Sequence, residues 1–308
     1  MKKKISIIVP MYNEEDMVAI CYKELKKVMD KEKDYTTEYI FINDGSSDRT
    51  EELLAKLSKK SKTIKVINFS RNFGHQAAVE AGLKHITGDA IAIIDADLQD
   101  PPSLIPEMLK LWEDGYDIIY GKRKTRKGES KFKLFTAKMF YKILNSLSDT
   151  PIPKDTGDFR VIDRSVANAI NEFPEHHKFY RGLFSFTGFK QTPFLYNRDP
   201  RKAGVTKYTL KKMLKLASDG IIGFSYKPIK LIIILSILLN IISIASLILT
   251  ILIKKYYLIF LLITLFSFNT SLILLSIWLI SLYLIRINDE TKNRPSYIIK
   301  DTINIKEA

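Results

Sequence analysis

An α/β fold followed by two membrane-spanning helices is what the sequence predicts, and three observations carry it. Residues 1 to about 125 alternate short Ile- and Val-rich runs with amphipathic helical stretches, the pattern of a mostly parallel sheet covered on both faces. Several of those runs end in acidic loops, at the strand ends where open α/β sheets hold their ligands. Near residue 230 the composition breaks, and charge vanishes for two long stretches.

The strands are expected at 5–9 (ISIIV), 39–43 (YIFIN), 64–69 (IKVINF), 90–95 (AIAIID) and 117–120 (DIIY). Between them, "MVAICYKELKKVM", "DRTEELLAKLSKK" and "HQAAVEAGLKHI" have helical periodicity. The first of these holds Cys21, the only cysteine, which excludes an internal disulfide and reads as a small buried hydrophobe. The opening "MKKKISIIVP" is basic, but its apolar run is too short for a signal peptide. A P-loop would need a Gly-Lys-Ser/Thr ending and a dinucleotide fold closely spaced glycines after the first strand; neither is present.

The stretch "IAIIDADLQDPP" (91–102) runs a buried strand into three acids. Pro101 and Pro102 cannot continue a ladder, so the strand ends near Asp97 to Gln99. Carboxylates at i and i+2, Asp95 and Asp97, can both reach one hard cation. The same residues also suit a polar turn with Asp100 near a helix N-cap, and the segment alone leaves both readings open. Two more loops, "PMYNEE" after the first strand and "NDGSSDRTEE" after the second, end at the same sheet edge. Ser46 or Ser47 and Asp48 can cap the following helix, while Asp44 is spare. Three polar loops at one edge look like a binding cleft.

Beyond residue 130, "KFKLFTAKMFYKILNSL" (131–147) is a basic amphipathic helix that suits a membrane interface or packing onto the sheet, and "TLKKMLKLASDGIIGF" (209–224) is similar. The latter leads into twenty-three uncharged residues, Leu231 to Ile253. At ~1.5 Å per residue such a helix spans ~34 Å, enough to cross a bilayer. Lys254 and Lys255 follow, then thirty uncharged residues from Tyr256 to Ile285, with a second helix expected over about 258–285. The predicted domains are therefore a catalytic unit at 1–228, a transmembrane hairpin at 229–286 and a tail at 287–308. Lys207, Lys211, Lys212, Lys215, Lys227, Lys230, Arg286, Lys292 and Arg294 flank the membrane on one side, so both termini and the large unit are expected to be cytoplasmic. Much of the +14 net charge is thereby accounted for, and a nucleic-acid reading loses its support. Asn240 and Asn269, each the sole amide of its span, fall at nearly equal depth in such a hairpin and are expected to hydrogen-bond, facing each other or the same neighbouring subunit.

Taken together, "PMYNEE", "INDGSSDRT", "RNFGHQAAVEAG", "DADLQDPP", "DTGDFRVIDR" (155–164) and "RKAGVTKY" (201–208) resemble, in order, the motifs of membrane-linked glycosyltransferase family 2. The likeness is to polyprenyl-phosphate glycosyltransferases of the dolichol-phosphate mannose synthase and bactoprenol glucosyltransferase type, and it covers nearly the whole chain. It departs at Asn43, where many relatives carry an Asp, and in lacking the Gln-x-x-Arg-Trp motif of processive synthases.

The resemblance implies a GT-A (Rossmann-like) catalytic domain and inverting transfer of one sugar from a nucleotide sugar, taken as UDP-linked, to undecaprenyl phosphate for cell-envelope glycosylation. It implies Pro10, Tyr12, Glu14, Asp44, Arg71, Asp95 and Ala96 at the nucleotide sugar, and Asp95, Asp97 and Gln99 around Mg2+ or Mn2+. Asp158 and Asp97 would be catalytic; Arg123, Arg201 and Lys207, with Arg126 and Lys133 behind them, would receive the acceptor phosphate. His75 is assigned no role, and the adjacent His176 and His177 read as surface or packing residues. Expected partners are the nucleotide sugar, the lipid phosphate and the membrane, with room for a homo-oligomer and none for nucleic acid. An inactive membrane-anchored scaffold is the rival reading, but it would have let the metal acids erode.

Overall fold

Ile5, Ile7 and Val9 face one side of the first strand and Ile8 the other, and all four are fully buried. Burial on both faces marks a central strand of a covered sheet, each such side chain contributing ~1.5–3 kcal/mol. The computed structural model describes residues 2–124, 156–175, 178–197 and 257–305. Its strands are β1 (Lys3–Met11), β2 (Tyr35–Asn43), β3 (Ile64–Phe69), β4 (Ala90–Ile93), β5 (Ile118–Arg123), β6 (Thr156–Asp163), β7 (Gln191–Tyr196) and β8 (Ile299–Ile303). They form one sheet in the order β7-β5-β6-β4-β1-β2-β3-β8.

The helices are α1 (Val18–Met29), α2 (Thr50–Ser58), α3 (His75–Lys84), α4 (Ile105–Glu113), α5 (Arg164–Asn171), α6 (Tyr180–Phe186) and α7 (Tyr257–Thr291). α1, α2 and α4 contribute to the core on one face of the sheet, α3, α5 and α6 to the core on the other. Cys21 lies fully buried within the first of these cores.

The α/β class and the first five strands are those the sequence predicts; the mostly parallel sheet is corrected to a mixed one. β4, β1, β2 and β3 are parallel neighbours, but β6 runs antiparallel between β4 and β5, and β8 antiparallel beside β3. The insertion of β6 has a functional consequence. Its pairing places Ile93 opposite Arg160, so continuing that register past the end of β4 brings Asp95 level with Asp158.

Within the segment 287–308, expected as a tail, α7 continues to Thr291 and β8 (Ile299–Ile303) joins the sheet. Tyr297 stacks on Phe69 at 4.9 Å between ring centroids, and Ser70 N–H donates to the Ile298 carbonyl. The Asn304 amide donates to the carbonyls of Ser58 and Ile64. Among the described residues one helix, α7, is long and apolar enough to cross a membrane, with mean hydropathy 1.9 over Phe268–Ile285. It leaves Phe266, Leu274 and Trp278 mostly exposed. The first predicted span, both interface helices, Asn240, His176, His177, Arg126, Lys133, Arg201 and Lys207 lie outside the described residues. Asn269 donates to the Leu265 carbonyl within its own helix.

Candidate active site

Two loops interlock beyond the ends of β1 and β2. Asn13, with φ +51°, turns the chain so that its N–H reaches Ser46 Oγ at 2.9 Å, and the next two N–H groups reach Thr50 Oγ1 (2.9 Å) and Asp48 Oδ2 (3.1 Å). In return Ser47 N–H donates to Asn13 Oδ1 at 2.8 Å and Arg49 N–H to Glu15 Oε2 at 3.2 Å. The Asp48 side chain also caps locally, its Oδ1 accepting from Thr50 N–H. Ser46, one of the predicted caps, instead clasps the first loop. Tyr12 and Glu14 are half-buried in this clasp, and Pro10 is buried in β1.

Asp44 is not spare. It is 3% exposed and accepts from Asn72 Nδ2 (2.9 Å) and from the N–H groups of Phe73 (2.7 Å) and Gly74 (3.0 Å). A carboxylate bound by backbone donors fixes the 71–74 segment leading into α3. Gly45 beside it has φ +61°, and a Cβ there would stand 2.2 Å from the Arg71 carbonyl carbon, so the two loops approach closely only at glycine. Arg71 is exposed and lies over the Phe73 ring at 4.1 Å.

The acidic turn after β4 alternates. Asp95, Asp97 and Gln99 are half-exposed, whereas Ala96, Leu98 and Asp100 are buried. Leu98 holds φ +51°, an unfavourable conformation for a bulky side chain, kept by burial in the core. Gln99 N–H closes the turn onto Asp97 Oδ1 at 3.1 Å. Each residue of the expected metal set is thus half-exposed. Asp100 is corrected from cap to core group: it bonds the Tyr196 hydroxyl and lies 4.0 Å from the Arg123 guanidinium. Pro101 occupies the cap position of the turn that precedes α4.

Across from that turn, Asp158 is gripped by Arg181 through Nε (3.0 Å) and Nη2 (3.2 Å). His75, the first residue of α3, places Nε2 3.3 Å from Asp158 and 3.8 Å from Asp95. Burial opposes charge on Asp158, yet Arg181 and His75 hold its carboxyl well below the usual range. Burial likewise opposes charge on His75, but Asp158 and Asp95 push its pKa up to about 9. Asp95 is raised to about 6, chiefly by burial and then by Asp158, Asp100 and Asp97, against the pull of His75.

Arg123 ends β5 beside this cluster, its Nη2 2.9 Å from where a Cβ on Gly157 would stand. Its Nε is buried without a hydrogen-bond partner among the described residues. Arg160, on the buried side of β6, caps the carbonyl of Gly157 and lies over the Phe184 ring, its pKa lowered to about 10 by burial.

The structure thus brings together Asp95, Asp97, Gln99, Asp158 and, through shared neighbours, Arg123; Asp44 and Arg71 belong to the adjacent loop pair. Sequence reasoning missed His75 and Arg181. A histidine at a helix N-terminus meets the positive end of the dipole, and that mismatch was the available sign of an acidic partner. For Arg181, inside "KFYRGLF", no local signal existed.

The family model described as Glycosyl transferase family 2 matches residues 6–170. The chain is 45% identical to the uncharacterized glycosyltransferase YkcC of Bacillus subtilis (strain 168), over 98% of this chain and 94% of that one. It is 36% identical to the SfII prophage-derived bactoprenol glucosyl transferase of Shigella flexneri, over 96% and 97%. Among solved structures, glucosyl-3-phosphoglycerate synthase from Mycobacterium tuberculosis, in complex with Mn2+, UDP-glucose and phosphoglyceric acid, matches with a TM-score of 0.49 and 16% identity, over 71% of this chain and 78% of that one.

Proposed function

We propose that this chain, which belongs to glycosyltransferase family 2, transfers a single sugar from a UDP-linked donor to undecaprenyl phosphate at the cytoplasmic face of the membrane, with inversion at the anomeric carbon. The observation that carries the reading is the meeting of two groups at one strand end: the half-exposed Asp95, with Asp97 and Gln99 following it, and Asp158 with its cations, His75 Nε2 lying 3.8 Å from Asp95 and 3.3 Å from Asp158. The bactoprenol specificity in the names of full-length relatives supports a polyprenyl acceptor. α7, with its exposed apolar surface, supports a membrane seat.

The donor set at the strand end fits a hard divalent cation. It is all oxygen, and burial and surrounding carboxylates already raise Asp95, a repulsion that a cation relieves. Asp95 and Asp97, with Gln99, would hold Mg2+ or Mn2+, which supplies Lewis-acid stabilisation of the diphosphate leaving group. The interlocked loops, with Pro10, Tyr12, Glu14, Asp44 and Arg71, would form the nucleotide end of the cleft, Ala96 lying buried in the turn beneath it.

The acceptor phosphate, with a second pKa of ~6, is largely dianionic at neutral pH and needs little help losing a proton. Asp158 is held so far below the usual range that it is a poor proton acceptor as well. Its part is to orient Arg181 and His75 and keep them charged beside the reacting phosphates. Arg123, beside Asp100 at the end of β5, with Arg201 and Lys207, would supply cationic charge to the acceptor phosphate.

Membranes containing the chain, incubated with a panel of labelled nucleotide sugars and undecaprenyl phosphate, are expected to move label from one UDP-sugar into the organic phase only when the lipid phosphate is supplied. Label that moves solely into water-soluble product, or equally into the organic phase without added lipid phosphate, would contradict this function.

A further inference from the structure

One polar row crosses three strands. Asn43 on β2, Asn68 on β3 and Asp301 on β8 are register partners, Asn43 with Asn68 and Asn68 with Asp301. Their side chains join: Asn43 Nδ2 donates to Asn68 Oδ1 at 3.0 Å, and Asn68 Nδ2 to Asp301 Oδ1 at 2.7 Å. Asn43 and Asn68 are buried and Asp301 is exposed.

The row has a direction. A carboxylate at neutral pH only accepts, so Asp301 draws the NH2 of Asn68 toward itself. Asn68 then presents its carbonyl oxygen to Asn43, which must answer with its own NH2. That leaves Asn43 Oδ1 for the N–H of Ser46, the contact observed at 3.1 Å. Ser46 Oγ in turn receives Asn13 N–H, so the row ends in the clasp between the two loops.

We propose that Asp301, on the strand that follows the membrane helix, is a positioning residue for the donor loop: through Asn68 and Asn43 it sets the orientation of the 43–46 turn and hence the affinity for the nucleoside diphosphate. This rests on reading residues 43–50 as the nucleotide loop. Docking of β8 does not need Asp301, because Tyr297, the Ile298 carbonyl, Lys300 on Glu51 and Asn304 each hold the segment separately. The polarity of the contact is what Asp301 adds.

The test exchanges donor and acceptor across the 2.7 Å contact. UDP binding in the presence of Mn2+ is measured by calorimetry on the full-length wild type, Asn68→Asp, Asp301→Asn and the pair, with melting temperature and acceptor KM beside it. Asn68→Asp, which sets two carboxylates together, is expected to weaken UDP binding about fivefold. The pair restores one amide facing one carboxylate, with their sides exchanged, and is expected to return binding to within about twofold of wild type. Acceptor KM is expected to stay constant. At the exposed end, which does not depend on a buried substitution folding, Asp301→Leu is expected to weaken UDP binding and Asp301→Asn to recover most of that loss. A pair that binds as weakly as Asn68→Asp while melting like the wild type, or Asp301→Leu binding UDP as tightly as wild type, overturns the assignment. A wild-type chain that binds no UDP overturns the donor reading, and this assignment with it.

Discussion

Arg181 meets Asp158 through two nitrogens, and that planar grip distinguishes it from a mere nearby charge. Arg181→Lys keeps the charge and loses the fork. The carboxylate then turns toward His75 alone, so kcat is expected to fall about tenfold while UDP affinity is unchanged. Steady-state kinetics beside UDP titration check this, and equal loss in both would put Arg181 on the donor side instead. At this scale the sequence was most informative where chemistry is local. Asp95, Asp97 and Gln99 sit at alternate positions within five residues, and the same alternation makes them accessible together. Asp158 and Arg181 are twenty-three residues apart on different elements, a pairing no periodicity encodes. Asp44 looked spare because its donors come from a loop almost thirty residues on.

Glu38 shows how the elements are tied together. It is 2% exposed on β2, and accepts from Ser6 Oγ on β1 (2.5 Å) and from the Thr87 N–H (2.7 Å) and hydroxyl (2.6 Å) before β4. Lys4 and Lys65 each reach it at 2.9 Å. Burial favours the neutral acid, but these donors win and hold its pKa at about 2. A pKa depressed in the folded state means stability that is full above the ordinary value and lost as pH falls from there toward 2. Glu38→Gln is therefore expected to cost roughly 3 kcal/mol at pH 7, with the difference from wild type closing below pH ~4. Chemical denaturation at several pH values measures it, and a difference independent of pH would refute the ionic account. Elements β1 to β5 were legible because their Ile- and Val-rich runs are bounded by turn residues. β6 was not, since "TGDFRVID" carries three charges and reads as a motif, and its place between β4 and β5 depends on pairings far apart in sequence.

On the scale of the whole molecule, the pairing of β8 with β3 ties the chain that follows α7 to the catalytic sheet. The strand was hidden in the sequence, because five half-polar residues at an edge bury little and look like a tail. The central claim concerns the cleft those strands assemble: that it is a metal-dependent sugar-transfer centre built on Asp95 and Asp97. The most direct measurement is transfer of label from a UDP-sugar to undecaprenyl phosphate by the purified chain, with and without EDTA, and by Asp97→Ala. Asp97 lies in a half-exposed turn, so the variant is expected to keep the wild-type melting temperature. Transfer is expected to disappear in EDTA, to return with Mg2+ or Mn2+, and to be absent from Asp97→Ala in either metal. Transfer at the normal rate in EDTA, or by folded Asp97→Ala, would contradict it.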